Sequence, residues 1–277
     1  MPLPYRKLVS FEEYGITLML GDSLEIMTAM VNDPLNEVEA DQVLCDPPYG
    51  ISYQGMKHRK IANDSSAEDI SLAAVPLLAE LLKRDGAMYI CSREDVANWW
   101  WHAMTDAKIN IKSSVIWNKC QWTMGDSASD MRRQTEMILI GHKGRALLQP
   151  WTWGDLPSWF EGTGAKKDRY WAEGERDKLV KRDTVLWTYP VPRDAESQRH
   201  PTPKPPEIME RAMVNHSRRG ELVLDPFRGG GPVGVAAVRQ GRRYLGIELE
   251  DDYFEIAVEN ISKAIELLKS NHAPEDI

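Results

Sequence analysis

The sequence predicts an α/β protein built on a doubly wound, mostly parallel sheet, and three observations carry that reading. Short apolar runs alternate with stretches of helical periodicity, several of those runs stop at an acidic residue, and a glycine-rich turn joins a strand to a helix around residue 230.

Taken in order, Ile16 to Leu20 is an apolar run stopped by Gly21-Asp22, and Gln42 to Cys45 is another, stopped by Asp46-Pro47-Pro48. Each delivers an aspartate at the carboxyl end of a strand. Apolar residues then recur at helical spacing from Ser71 to Leu82, Asp85-Gly86 breaks the pattern, and Ala87 to Cys91 follows as a strand. Lys112 to Asn118 and Glu136 to Ile140 read as further strands. From 147 to 199 periodicity fades, and Trp151, Trp153, Trp159, Trp171 and Trp187 stand among Gly, Pro and clustered charges, which reads as an inserted recognition region. Pattern returns with a helix over Pro205 to Val214, a strand over Glu221 to Leu224, a helix over Pro232 to Gln240 and a strand over Arg243 to Ile247, a βαβ unit. Phe254, Ala257, Val258, Ile261, Ile265 and Leu268 then share one face of a closing helix over Tyr253 to Leu268. Residues 1–146 and 200–277 therefore form two parts of one domain around the inserted 147–199.

Composition narrows the class. The 277 residues are 42% hydrophobic and 27% charged, which fits a folded soluble enzyme and excludes disorder, collagen-like repeats and coiled coil. No stretch reaches the roughly 20 apolar residues of a membrane span, so a cytoplasmic protein is expected. Cys45, Cys91 and Cys120 are too few and too scattered for a disulfide framework or a C-x-x-C zinc site, and no metal is expected. The net charge of -8 hides a segregation. Residues 1–50 and 248–277 each hold two basic against nine acidic side chains, whereas 165–219 hold thirteen basic against nine acidic.

Two motifs carry chemistry. In Asp46-Pro47-Pro48-Tyr49 the prolines stiffen an extended backbone at a strand exit. Such a site offers a carboxylate and a carbonyl as acceptors for the two hydrogens of an amino group, and a tyrosine ring as a stacking surface. Holding both hydrogens pulls a conjugated amine toward tetrahedral geometry and frees its lone pair for attack. In Asp225-Pro226-Phe227-Arg228-Gly229-Gly230-Gly231 a strand end meets glycines that admit a ligand close to the backbone. Glu248 ends the next strand, 19 residues beyond Gly229, placed to accept hydrogen bonds from a ribose. Gly229, Gly231 and Gly234 also satisfy G-x-G-x-x-G, so a dinucleotide-dependent oxidoreductase stands as an alternative. A carboxylate beside the loop suits a sulfonium and an ammonium better than a pyrophosphate.

With His200-Pro201-Thr202-Pro203-Lys204-Pro205 between them, these motifs in this order resemble the amino-methyltransferases of DNA, in the permuted beta-class arrangement. The resemblance spans nearly the whole chain. It implies a circularly permuted, Rossmann-like methyltransferase fold with a seven-stranded sheet, a reversed edge hairpin and an inserted target-recognition region. It implies S-adenosyl-L-methionine as cofactor, held by Asp22, Thr202, Lys204, Asp225, Pro226, Phe227, Gly229, Gly231 and Glu248. Asp46 and Pro47, stiffened by Pro48, would hold the target amino group, and Tyr49 would stack on a base flipped from double-stranded DNA. Asp rather than Ser at 46 favours adenine N6 over cytosine N4. Lys166, Lys167, Arg169, Lys178, Lys181 and Arg182 would touch phosphates, and the polar segment 52–66, from its own residues, reads either as a loop closing over the substrate or as a solvated surface loop. A cognate restriction endonuclease and a homodimer are the further partners left open, and a non-catalytic DNA-binding protein is the competing reading. Gly230 and Pro232 depart from the family's usual hydroxyl residues, which removes a contact to the cofactor.

Overall fold

The computed structural model describes residues 3–35, 38–50, 66–121, 131–146, 183–192 and 204–271. Thr202, the 52–65 part of the 52–66 segment, the basic residues from Lys166 to Arg182 and Trp151 to Trp171 lie outside them.

The chain begins with an antiparallel hairpin, β1 (Lys7–Phe11) and β2 (Ile16–Leu20). Asp22 then caps α1 (Ser23–Asn32), its Oδ1 accepting from the amides of Leu24 at 2.8 Å and Glu25 at 3.2 Å. β3 (Ala40–Cys45), α2 (Ala67–Leu81), β4 (Leu82–Ser92), α3 (Ala97–Asp106) and β5 (Asn110–Asn118) follow as alternating units. β6 (Thr135–His142) and β7 (Leu186–Thr188) come next, then α4 (Pro206–His216), β8 (Leu222–Asp225), α5 (Pro232–Gln240), β9 (Arg243–Glu248) and α6 (Asp251–Asn271).

The strands form one sheet in the order β1-β2-β9-β8-β3-β4-β6-β5-β7. β2, β9, β8, β3 and β4 run parallel, while β6 is antiparallel to both its neighbours. The expected seven strands are the central ones, β2 through β5 in spatial order, and the described residues add β1 and β7 at the edges. The reversed hairpin β5–β6 consequently lies one strand in from the edge, because β7 pairs in parallel with β5. β7 also falls inside the range read as an insertion, so its residues belong to the main sheet. The late strands β8 and β9 slot between the early β2 and β3, which is the permutation: Leu20 pairs with Glu248 and Val43 with Leu224.

Alternation along the strands fills two cores. Met19, Val43, Ile90, Leu224 and Ile247 face α1, α2 and α3. Leu18, Leu44, Tyr89, Val223 and Tyr244 face α4, α5 and α6. In the tryptophan triplet of α3, Trp100 is fully buried while Trp99 and Trp101 are 37% and 43% exposed, as helical geometry requires of adjacent positions.

The third core element is an ion pair. Arg211 of α4 is 1% exposed and its Nε donates to both oxygens of Asp183, at 3.1 and 3.0 Å, while Asn215 Nδ2 donates to Asp183 at 2.7 Å. The Arg211 guanidinium also lies 4.8 Å from the Trp187 ring centre. This pins the segment leading into β7 to the α4 layer. All three cysteines are free thiols. Among the described residues no helix is long and apolar enough to cross a membrane.

Candidate active site

Parallel strands with aligned ends bring their carboxyl termini to one edge, the usual place for ligands in doubly wound sheets. Here that edge carries Asp22 after β2, Glu248 on β9, Asp225 on β8 and Asp46 after β3. Because β6 runs the other way, it presents its amino end at the same edge. Glu136, its second residue, therefore joins the four acids, with Met137 beside it in register with Ser92 of β4.

At Asp46 the site is a closed polar cluster. The Tyr49 hydroxyl lies 3.0 Å from Asp46 Oδ1 and 3.0 Å from Glu136 Oε2. Lys204, only 7% exposed and just ahead of α4, donates from Nζ to Asp46 Oδ2 at 2.6 Å and to the Tyr49 oxygen at 2.9 Å, and pairs with Glu136 at 3.3 Å. Lys119, which follows β5, reaches the other Glu136 oxygen at 3.2 Å. Burial raises the Asp46 pKa; Lys204 works against that and the Glu136 charge adds to it. Burial also opposes ionisation of Glu136, but Lys204 and Lys119 together hold it below the ordinary carboxylate range. For Lys204 burial is likewise outweighed by the two carboxylates, so its ammonium stays protonated far above the usual lysine range. Pro47 is buried, and Pro48 and Tyr49 are partly so.

The glycine loop forms the other half. Gly229 and Gly231 take left-handed φ values of 51° and 84°. A Cβ on Gly231 would lie 2.8 Å from the Ala257 Cβ of α6, so glycine here lets the loop pack onto that helix. Glu248 accepts the Gly229 amide at 2.7 Å on one oxygen and the Glu250 amide at 2.9 Å on the other, with the Leu249 amide also turned toward the carboxylate; a carboxylate offers about four acceptor positions, so it can still take a diol hydroxyl. Burial raises its pKa, against the pull of those amides and Arg228. Asp225 is fully buried beneath the loop, bonded to the Tyr244 hydroxyl at 3.0 Å and the Phe227 amide at 3.2 Å, and burial pushes it up to about 7. Pro226 is buried and Phe227 half-buried beside them. Arg228 stacks 4.7 Å above the Phe254 ring, 2% exposed, and none of its guanidinium nitrogens has a hydrogen-bond partner among the described residues.

A family model described as DNA methylase, covering N6 and N4 methyltransferases, matches residues 40–259, from β3 into α6. The chain belongs to the DNA methylase family. It is an enzyme that methylates DNA on an exocyclic amino group, and the family takes in both adenine and cytosine members. Type II methyltransferase M2.LlaDCHI of Lactococcus lactis subsp. cremoris is 24% identical over 91% of each chain. Type II methyltransferase M2.DpnII of Streptococcus pneumoniae is 25% identical over 89% of this chain and 90% of its own. Among solved structures, M1.HpyAVI in complex with SAM superposes with a TM-score of 0.62 at 21% identity, covering 89% of this chain and 98% of that one. The PvuII cytosine-N4-specific DNA methyltransferase gives 0.64 at 13% identity, over 92% and 93%; both likenesses establish the fold.

In this DNA methylase the edge unites most of the residues singled out from the sequence. Asp46, Tyr49 and Lys204 are in direct contact, and Glu248 touches the glycine loop. Asp22 follows the neighbouring strand β2, with one oxygen committed to capping α1. Glu136, Lys119 and Tyr244 carry no site role in the sequence reading. A charged residue opening an apolar strand was visible at 136, but only the reversal of β6 gives it meaning.

Proposed function

We propose that this enzyme transfers a methyl group from S-adenosyl-methionine to the N6 amino group of an adenine flipped out of double-stranded DNA. The observation that carries it is the Asp46 carboxylate, clamped beside Tyr49 at the same sheet edge as the glycine loop and Glu248. The residues present fit the cofactor: Glu248 is a carboxylate acceptor at the glycine loop, as a ribose requires, and Asp22 follows the adjoining strand β2. When bound, the cofactor supplies an electrophilic methyl on a sulfonium.

The chain does the rest. Asp46 and the Pro47 carbonyl accept the two amino hydrogens, drawing the nitrogen out of conjugation with the ring. Tyr49 offers its ring face to the base. A base within a duplex hides its amino group, so the base is extruded into this pocket before reaction. Asp at position 46 supports adenine, as does the 33% identity over 81 residues with the DNA adenine methyltransferase YhdJ of Escherichia coli. Lys166 to Arg182 contact phosphates in this reading, and a cognate endonuclease is the partner suggested by relatives named type II methyltransferases.

The test incubates the protein, and an Asp46→Ala variant, with labelled S-adenosyl-methionine and unmethylated genomic DNA, then separates the nucleosides. Labelled methyladenine from the wild type alone supports the proposal. Label on cytosine overturns the base assignment and keeps the mechanism. No label from a protein that binds the cofactor overturns the reading.

A further inference from the structure

Lys204 belongs to a motif whose resemblance points to the cofactor, yet its ammonium is spent on the catalytic carboxylate. It donates hydrogen bonds to Asp46 at 2.6 Å and the Tyr49 hydroxyl at 2.9 Å and forms an ion pair with Glu136 at 3.3 Å. Two carboxylates thus share one buried cation, with Lys119 as a second cation reaching Glu136 alone. We propose that Lys204 is a positioning residue for methyl transfer, holding Asp46 ionised and oriented so that it accepts, rather than donates, at the target amino group. The proposal rests on the function argued above and adds to it why Asp46 is fit for its task.

The physical reason is the crowd of acids around Asp46. From β6 comes Glu136, and Asp225 of β8 is near enough for the Asp46 charge to raise its pKa. Cys45 of β3 and Cys91 of β4 are buried thiols whose pKa burial pushes up, so they stay neutral and offer no compensating charge. The Tyr49 hydroxyl is likewise held neutral by burial and the two carboxylates. Among the described groups around Asp46, Lys204 is therefore the cation that keeps it ionised. Two carboxylates this close without a shared cation behave as a dyad that retains one proton. A protonated Asp46 presents an O–H to the amino group and loses the acceptor that pulls its hydrogens. Glu136 has the complementary part: it anchors the ammonium, and Lys119 satisfies its remaining oxygen, so Lys204 is not drawn wholly to Asp46.

The experiment follows the titration of Asp46 directly, by carbon NMR on protein labelled at aspartate carboxyls and assigned with Asp46→Asn. It compares wild type, Lys204→Met, Lys204→Arg and Glu136→Gln. In Lys204→Met the Asp46 midpoint should rise by more than about one pH unit; Lys204→Arg should restore it, and Glu136→Gln should lower it. In parallel, the acid limb of the single-turnover methylation profile should move up in Lys204→Met together with the Asp46 midpoint, by more than about one pH unit, while the alkaline rate stays within about threefold of wild type. Cofactor Kd, by calorimetry, should change by less than about threefold. An unmoved Asp46 midpoint in both Lys204→Met and Glu136→Gln overturns the proposal, as does a large loss of cofactor affinity with an unchanged pH profile, which returns Lys204 to the cofactor. If Lys204→Met does not fold, Glu136→Gln alone decides the matter. Absence of any DNA methylation by the wild type overturns the function instead, while the titration still judges Lys204.

Discussion

Replacing Glu248 with Gln isolates the ribose contact. In the wild type the Glu248 oxygens take the backbone amides of Gly229 at 2.7 Å and Glu250 at 2.9 Å, with the Leu249 amide also turned toward them, and the carboxylate keeps acceptor capacity for a hydroxyl. Gln has a single acceptor oxygen, so its NH2 must face either an amide or a hydroxyl, and the charge assistance to every partner disappears. Hydrogen bonds to a charged group contribute about 1.5–3 kcal/mol, against roughly 1 kcal/mol for neutral ones. Losing one such contact and weakening another costs about 2–3 kcal/mol of cofactor binding, a rise in Kd of roughly 30- to 150-fold. Calorimetry with S-adenosyl-methionine reads this, with thermal melts confirming that the variant is folded. A 2′-deoxy analogue should bind wild type weakly and lose little further in the variant. A folded Glu248→Gln protein whose Kd stays within about threefold of wild type refutes the assignment of the ribose to this residue.

Further outcomes follow from the packing. Gly231→Ala forces a side chain into left-handed backbone at φ 84° and sets its Cβ 2.8 Å from that of Ala257; strain and overpacking together should cost about 2–4 kcal/mol, a Tm lower by on the order of 10 °C. Arg211→Met leaves the Asp183 carboxylate buried without its guanidinium and should destabilise by about 3–5 kcal/mol in denaturant titration, whereas adding Asp183→Leu should return most of it. His216 Nδ1 shares a hydrogen bond with the Tyr89 hydroxyl, and its ring meets His142 edge-on at 4.8 Å; burial, reinforced by His142, depresses its pKa from 6.5 to about 3. A depressed folded-state pKa means its stabilising contribution is whole above about pH 6.5 and lost as pH falls toward 3, an effect of up to about 4 kcal/mol. Acid melts of His216→Gln should be flatter over that window, and an unchanged acid limb sinks this account.

Much of the fold was legible where local pattern and tertiary role agree. The five parallel-sheet strands were each found as apolar runs because burial on both faces removes alternation, and α5 was found with its bounds intact, since Gly231 and Gly241 flank it. β1 and β7 escaped because an edge strand needs little apolar content, and β7 has three residues. α1 had a signal that went unread: Asp22 followed three positions later by Glu25 is a capping-box pattern, and the structure shows Asp22 capping. For the site, Asp46, Tyr49, Lys204 and Glu248 stood out through short motifs. Glu136 and Lys119 did not, because their significance arises from strand reversal and from the pairing of Trp117 with Glu136 across β5 and β6, long-range facts that no local window contains.

The carboxyl edge of the sheet gathers five acids, Asp22, Asp46, Glu136, Asp225 and Glu248, against the cations Lys119, Lys204 and Arg228 among the described residues. Such an edge should hold a positively charged donor more tightly than the neutral thioether left when its methyl has gone. The preference should narrow as salt is raised, when the affinities of donor and by-product are compared side by side.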